Sequence, residues 1–236
     1  DTFSIEYSFT YKCCMVKLFN RKQMTELIKM IAVIDYGAGN IRSVYKALKH
    51  IGCECVITRD KDEIMNADGA VLPGVGSFGD TMDTMNSYGI KDTVIEYINS
   101  GKPFLGICLG LQLLFPESEE SPNVKGLSVF DGTITKIPSG EGLKIPHIGW
   151  NSLKINKKSR LFKGIEQNAY VYFVHSYFLT ASDRSIVSAQ TEYGVTIDAA
   201  VEKGNVFATQ FHPEKSGETG LKILRNFADI VKGREE

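Results

Sequence analysis

From residue 30 onward the sequence alternates short apolar runs with amphipathic stretches, and this alternation restricts the fold more than any other feature. "IAVID" (31–35) reads as a buried strand. "NIRSVYKALKHIG" (40–52) then reads as a helix, with apolar residues at 41, 44, 45, 48 and 51 and a terminating Gly52. "CECVI" (53–57), "GAVLPG" (69–74) and "PFLGI" (103–107) follow as strands, with the helix "GIKDTVIEYINSG" (89–101) before the last of them. Strands separated by helices pair in parallel, because each crossover helix must pack back onto the sheet. The second half changes character. Period-two stretches such as "AYVYFVHSYFL" and "TIDAAVEKGNVFATQFHP", with Tyr-Gly and Gly-Asn turns, predict antiparallel hairpins, and "TGLKILRNFADIVKG" (219–233) predicts a closing helix. No repeat or long linker interrupts the run, so residues 30–233 are expected to form one α/β domain: a mostly parallel sheet with helices on both faces and an antiparallel flank.

Residues 1–29 do not share this pattern. They carry no Gly or Pro and lack the layout of a signal peptide. The expectation is that Met30 is the functional start and that 1–29 are an extension that need not be native, the alternative being a helix or strand packed on the domain.

Composition narrows the function classes. Lys and Arg total 27 against 28 Asp and Glu, so no net field favours nucleic acid or a membrane surface, and no apolar run is long enough to span a bilayer. A cytoplasmic protein is expected. The five cysteines, at 13, 14, 53, 55 and 108, form neither a disulfide framework nor a metal-ligand spacing, and no metal or cofactor is expected. Cys53 and Cys55 alternate with Glu54, so both face one side of a strand and read as core. Gly37-Ala38-Gly39 after a strand is not a dinucleotide loop, because Arg42 stands where close helix–strand packing requires a third glycine.

Cys108 stands apart. "GICLG" (106–110) has the Gly-x-nucleophile-x-Gly form of a strand-to-helix elbow, with Cys in place of Ser. Small neighbours let the middle side chain rise clear of the sheet. The N–H groups of the following helix then favour a thiolate, and the Leu109 N–H is free to face an oxyanion. A structural cysteine in a Gly-rich turn is the alternative. A nucleophilic cysteine needs a base and an orienting group. Of the four histidines, His50 ends a helix, His147 falls in an expected loop and His175 leaves an apolar strand toward a pocket. His212 in "QFHPE" is the strongest candidate: it follows a late strand that Pro213 terminates, and Glu214 can return to its other ring nitrogen.

Taken together, "DYGAGN" (35–40), "LPGVGSFGD" (72–80), "GICLGLQLLF" (106–115), "PHIGWN" (146–151), "YFVHSYF" (172–178) and "QFHPEKSG" (210–217) resemble the class I, triad-type glutamine amidotransferases. Within them the resemblance is nearest to the glutaminase subunits of imidazole glycerol phosphate synthase. It implies a flavodoxin-like α/β fold. It further implies that Cys108 is the nucleophile, His212 the acid/base and Glu214 its orienter. Gly74, Val75, Gly76 and Leu109 would supply or border the oxyanion donors, and Gln112, His175, Ser176 and Tyr177 would hold glutamine. Asn40, Trp150, Tyr172 and Lys215 would face or gate a shared interface with a (β/α)8-barrel cyclase subunit in a heterodimer. The alternatives are another class I amidotransferase subunit or a cysteine-triad γ-glutamyl hydrolase. One departure is Pro116, where the family usually carries an acidic residue. It predicts a helix that stops or kinks near Phe115 without moving Cys108 or Gln112, followed by a charged surface loop "ESEESPN" (117–123).

Overall fold

A computed structural model describes residues 29–234 apart from 38, 39, 141 and 157. Residues 1–28 of the segment read as an extension, with Cys13 and Cys14, thus lie outside the described residues, as do Ala38 and Gly39. The strands begin with β1 (Met30–Ile34), β2 (Glu54–Thr58), β3 (Gly69–Gly74) and β4 (Phe104–Cys108). They continue with β5 (Gly132–Lys136), β6 (His147–Ser152), β7 (Lys154–Ile155), β8 (Tyr170–His175) and β9 (Tyr177–Ala181). β10 (Val187–Glu192), β11 (Thr196–Lys203) and β12 (Val206–Thr209) complete the set. The helices are α1 (Ile41–His50), α2 (Lys61–Asn66), α3 (Phe78–Ser87), α4 (Ile90–Asn99), α5 (Leu109–Gln112) and α6 (Gly217–Val231).

Eight strands form one sheet in the order β2-β1-β3-β4-β12-β11-β10-β7. The pairs from β2 through β12 are parallel, and β11, β10 and β7 add an antiparallel flank. Two ribbons, β5–β9 and β6–β8, stand beside it. Strand alternation sorts the core into two layers. Ile31, Val33, Val71, Leu105 and Phe207 meet Val44 and Leu48 of α1 and Leu224 and Phe227 of α6. Ala32, Ile34, Ala70, Leu72 and Phe104 meet Met82 and Met85 of α3 and Val94 and Tyr97 of α4. Cys53 and Cys55 are buried in the first layer, as their alternation implied.

To the two helices read before β4, at 40–52 and 89–101, the structure adds α2 and α3. Both begin at side-chain caps: the Asp60 carboxylate accepts from the Glu63 N–H, and the Ser77 hydroxyl accepts from the Asp80 N–H. The stretch 117–123 is a charged surface loop, as read, but it is also tied to the fold: Ser118 is buried, Glu120 accepts from the Phe78 N–H and the Ser121 hydroxyl accepts from the Gly79 N–H. It therefore satisfies first-turn donors of α3.

The elbow helix is shorter than expected, ending at Gln112. Beyond it, the carbonyls of Leu113, Leu114 and Pro116 accept hydrogen bonds from Leu127, Val129, Phe130 and Gly126, so the returning chain takes the acceptors a longer helix would use. The elbow keeps its place at the end of β4.

Candidate active site

The carboxyl ends of β3, β4 and β12 lie side by side, the position where open α/β sheets collect their functional groups. Cys108 ends β4 with φ 55° and ψ −106°, a left-handed conformation that is strained for a residue with a side chain. The elbow glycines explain how the chain can turn there. A Cβ on Gly110 would lie 2.1 Å from the Leu72 carbonyl oxygen, and one on Gly106 would lie 2.6 Å from that of Gly110. α5 therefore rests directly on strand backbone and holds the cysteine at the carboxyl end of β4.

Val75, Gly76, Cys108, Leu109, Gln112, His175, Ser176, Tyr177, His212 and Lys215 all line one cavity of about 410 Å³. Gly74 pairs with Cys108 just behind this wall. His212 Nδ1 lies 2.8 Å from Glu214 Oε1, and Asn40 Nδ2 donates to the same carboxylate oxygen across 3.3 Å. The turn carrying His212 is tied down on its backbone. Its N–H donates to the Tyr172 carbonyl, its own carbonyl accepts from the Ser216 hydroxyl, and that hydroxyl accepts from the Tyr172 N–H. Burial penalises the imidazolium of His212, but the Cys108 sulfur and the Glu214 carboxylate outweigh it and push the ring up to about 9. Nε2 is buried without a hydrogen-bond partner among the described residues, which leaves this nitrogen for a substrate atom.

His175 behaves differently. The Tyr177 carbonyl, an acceptor, lies 2.9 Å from His175 Nδ1, so that nitrogen carries the proton and Nε2 accepts from His147 Nδ1 across 3.1 Å. His147 in turn stacks on Tyr193 and Phe173, with centroids 3.8 and 4.8 Å away. Burial depresses both rings, His147 to about 4 and His175 to about 3, the latter partly offset by its bond to Tyr177. Both are neutral at pH 7, and together they brace the 175–177 bend against the cavity. His147 thus opens β6 and is buried, where the sequence suggested a loop.

Outside the cavity, Trp150 and Tyr172 pair across the β6–β8 ribbon with ring centroids 6.2 Å apart, and Lys215 Nζ sits 5.9 Å above the Tyr172 ring. Ile148, Trp150 and Tyr170 on the same ribbon face are 60%, 54% and 60% exposed.

Gln210 escaped the sequence reading, and His147 was weighed there only as a loop histidine. Gln210 is fully buried, with Nε2 donating to Cys108 Sγ at 3.7 Å. The available signal for Gln210 was its place, directly after β12 and two residues before His212. Among the described residues no cluster of His, Cys, Asp and Glu could hold a metal ion, and no helix is long and apolar enough to cross a membrane.

A parallel sheet with a cysteine elbow at one strand end and a His-Glu pair past the next is suited to acyl transfer through a cysteine, and comparison with known proteins gives the family. The sequence model of the family glutamine amidotransferase class-I matches residues 32–231, and the chain belongs to that family. Its relatives narrow the class. The chain is 51% identical over 203 residues to the imidazole glycerol phosphate synthase subunit HisH of Caldanaerobacter subterraneus, covering 86% of this chain and 99% of the relative. It is 51% identical over 203 residues to HisH of Methanothermobacter thermautotrophicus, covering 86% and 100%. Solved structures share the fold at low identity. PurLQS from Thermotoga maritima superposes with a TM-score of 0.65 at 23% identity, over 86% of this chain and 99% of that one. A crystal structure of a glutamine amidotransferase gives 0.67 at 22%, over 86% and 98%.

Proposed function

We propose that this chain is the glutaminase subunit of an imidazole glycerol phosphate synthase, and that Cys108, His212 and Glu214 perform its chemistry. The observation that carries this reading is the shared cavity: Cys108 and His212 line it together, and Glu214 holds the imidazole nitrogen that faces away.

In this reading the Cys108 proton passes to His212, and Sγ attacks the side-chain amide carbon of glutamine. The tetrahedral oxyanion is held by the backbone N–H of Leu109 and by one near Val75 and Gly76. Gly76, at φ +109°, lets that peptide present its donor at low conformational cost. The C–N bond then breaks, and ammonia leaves with the proton from His212. Water, deprotonated by His212, cleaves the glutamyl thioester, releases glutamate and restores the thiol. Glu214 keeps the imidazole in the required tautomer and offsets its charge. Gln112 and the His175-Ser176-Tyr177 bend position glutamine, with the His175 ring, committed to Tyr177 and His147, acting through the bend's shape.

Ammonia released into neutral water is mostly protonated and no longer nucleophilic, which favours direct transfer to a synthase. The reading therefore includes a (β/α)8-barrel cyclase partner in a heterodimer, which uses the ammonia to make imidazole glycerol phosphate and an aminoimidazole carboxamide ribotide in the cytoplasm. The exposed Ile148, Trp150 and Tyr170 support a partner surface there, since apolar groups clustered on one face are costly to leave in water. The reading assigns Asn40, Tyr172 and Lys215 to the border of that surface, supported by the Asn40 bond to Glu214 and by Lys215 lying over the Tyr172 ring.

Replacing Cys108 with Ala in the assembled synthase tests the reading. Glutamine-dependent synthesis should vanish while ammonia-dependent synthesis persists. Loss of both would give Cys108 a structural role, and loss of neither would remove it from the chemistry. Full glutaminase turnover without any partner would favour an independent γ-glutamyl hydrolase.

A further inference from the structure

We propose that Gln210 is a further catalytic residue of this site, its side-chain amide donating a hydrogen bond to the Cys108 sulfur and holding it in the nucleophilic thiolate form. The inference deepens the reading above and rests on Cys108 being the nucleophile.

The orientation of two buried amides carries the argument. The Tyr177 backbone carbonyl can only accept, and it lies 3.0 Å from the Gln112 side-chain nitrogen, so Gln112 must turn its NH2 group that way. The same nitrogen lies 3.0 Å from Gln210 Oε1, which takes its second proton. That contact fixes the Gln210 amide in turn. With its oxygen on Gln112, its NH2 group faces Cys108 Sγ at 3.7 Å. The Gln210 backbone is held as well, its N–H donating to the Ala199 carbonyl, and the residue is fully buried. A main-chain carbonyl on β9 thereby dictates, through two side chains, that the sulfur meets a donor.

A thiol is a poor acceptor and a thiolate a good one, so a fixed buried donor stabilises the ionised form selectively. Gln210 follows directly on β12 and precedes His212 by two residues, so one short segment carries both the donor and the base. Gln112 consequently has two roles: it borders the cavity, and it sets the direction of Gln210.

The test measures alkylation of Cys108 by iodoacetamide as a function of pH in the full chain, with Cys108→Ala supplying the background from the other cysteines. Gln210→Met and Gln210→Leu retain the volume and remove the donor. Their alkylation profiles should move to higher pH by about one unit, with roughly 10-fold slower alkylation on the rising limb. The glutaminase kcat should fall while KM for glutamine holds. A purely packing role would lower the melting temperature and leave the profile in place. Folded variants whose profiles superimpose on the unsubstituted protein overturn the proposal.

A second measurement decides the matter should both variants unfold. In the unsubstituted protein, the Gln210 side-chain amide protons should shift in NMR with the midpoint of the alkylation profile, and the shift should vanish in Cys108→Ala. Amide protons indifferent to that titration overturn the proposal. Retained glutaminase activity in Cys108→Ala would instead overturn the nucleophile assignment itself, a separable result.

Discussion

His212 Nδ1 lies 2.8 Å from Glu214 Oε1, with the two side chains only 2% and 1% exposed. A carboxylate this deep is costly to bury alone, and Asn40 supplies it a second donor. The arrangement points Nε2 of His212 toward the cavity and Cys108, and several outcomes follow from it.

Replacing Glu214 with Gln keeps the shape but removes the charge that balances the imidazolium. We expect kcat for glutamine hydrolysis to fall by about 10²–10⁴ with KM little changed, by analogy with the loss of an orienting carboxylate in other triads. Steady-state glutaminase kinetics in the presence of the cyclase check this. An unaltered kcat would mean that Glu214 does not orient the base.

The His212 pKa, raised to about 9, makes a prediction for alkaline stability. The folded state holds this proton more tightly than the unfolded chain, whose histidine titrates near ~6.5. The contribution is thus complete below that value and is lost as pH rises through about 9. In Cys108→Ala the sulfur no longer supports the cation, so the alkaline loss should begin at lower pH. Denaturant unfolding followed from neutral to alkaline pH gives the comparison; coincident curves would contradict the coupling.

His147 and His175 work in the opposite direction. Their pKa values are depressed to about 4 and about 3, so the unfolded state takes up protons that the folded state refuses. Stability is fully present above ~6.5 and is lost progressively as pH falls through about 4 for His147 and about 3 for His175. His147→Phe, which retains the stacking shape without a titrating ring, should show a shallower decline. Urea unfolding at a series of pH values measures it.

Gly110→Ala should disturb fold and site together. The added Cβ would meet the Leu72 carbonyl at 2.1 Å, backbone against backbone, so α5 must lift from β3. A loss of about 1–3 kcal/mol is expected, with reduced glutaminase activity because Cys108 and Leu109 move with the helix. Thermal unfolding and activity of the same sample test it, and a variant as stable and active as the parent would show that the elbow has slack.

Much of this was legible in the sequence because the signals were local. The alternation of "IAVID", "GAVLPG" and "PFLGI" with amphipathic segments specified the parallel strands, and Gly106 and Gly110 marked the elbow through the close contacts they permit. α3 was less visible. Its buried Phe78, Met82 and Met85 are helically spaced, but the intervening Gly, Thr, Asp and Asn have weak helix propensity, and the cap at Ser77 was the clearer cue. The stretch 117–123 is exposed as its charge suggested, but nothing local showed that Glu120 and Ser121 cap a helix about forty residues earlier in the chain. Gln210 and His147 depend on contacts between distant segments, the turn after β12 with the end of β4 and β6 with β8, which no local pattern in the sequence reveals.

The most direct test of the account is to search for the covalent intermediate. Acid-quenching the assembled synthase during turnover with glutamine, followed by peptide mass spectrometry, should find a glutamyl thioester on the peptide containing Cys108, and accumulation of that adduct should be greater in His212→Asn. Adduct at any other residue, or turnover with Cys108 unmodified throughout, would contradict the account.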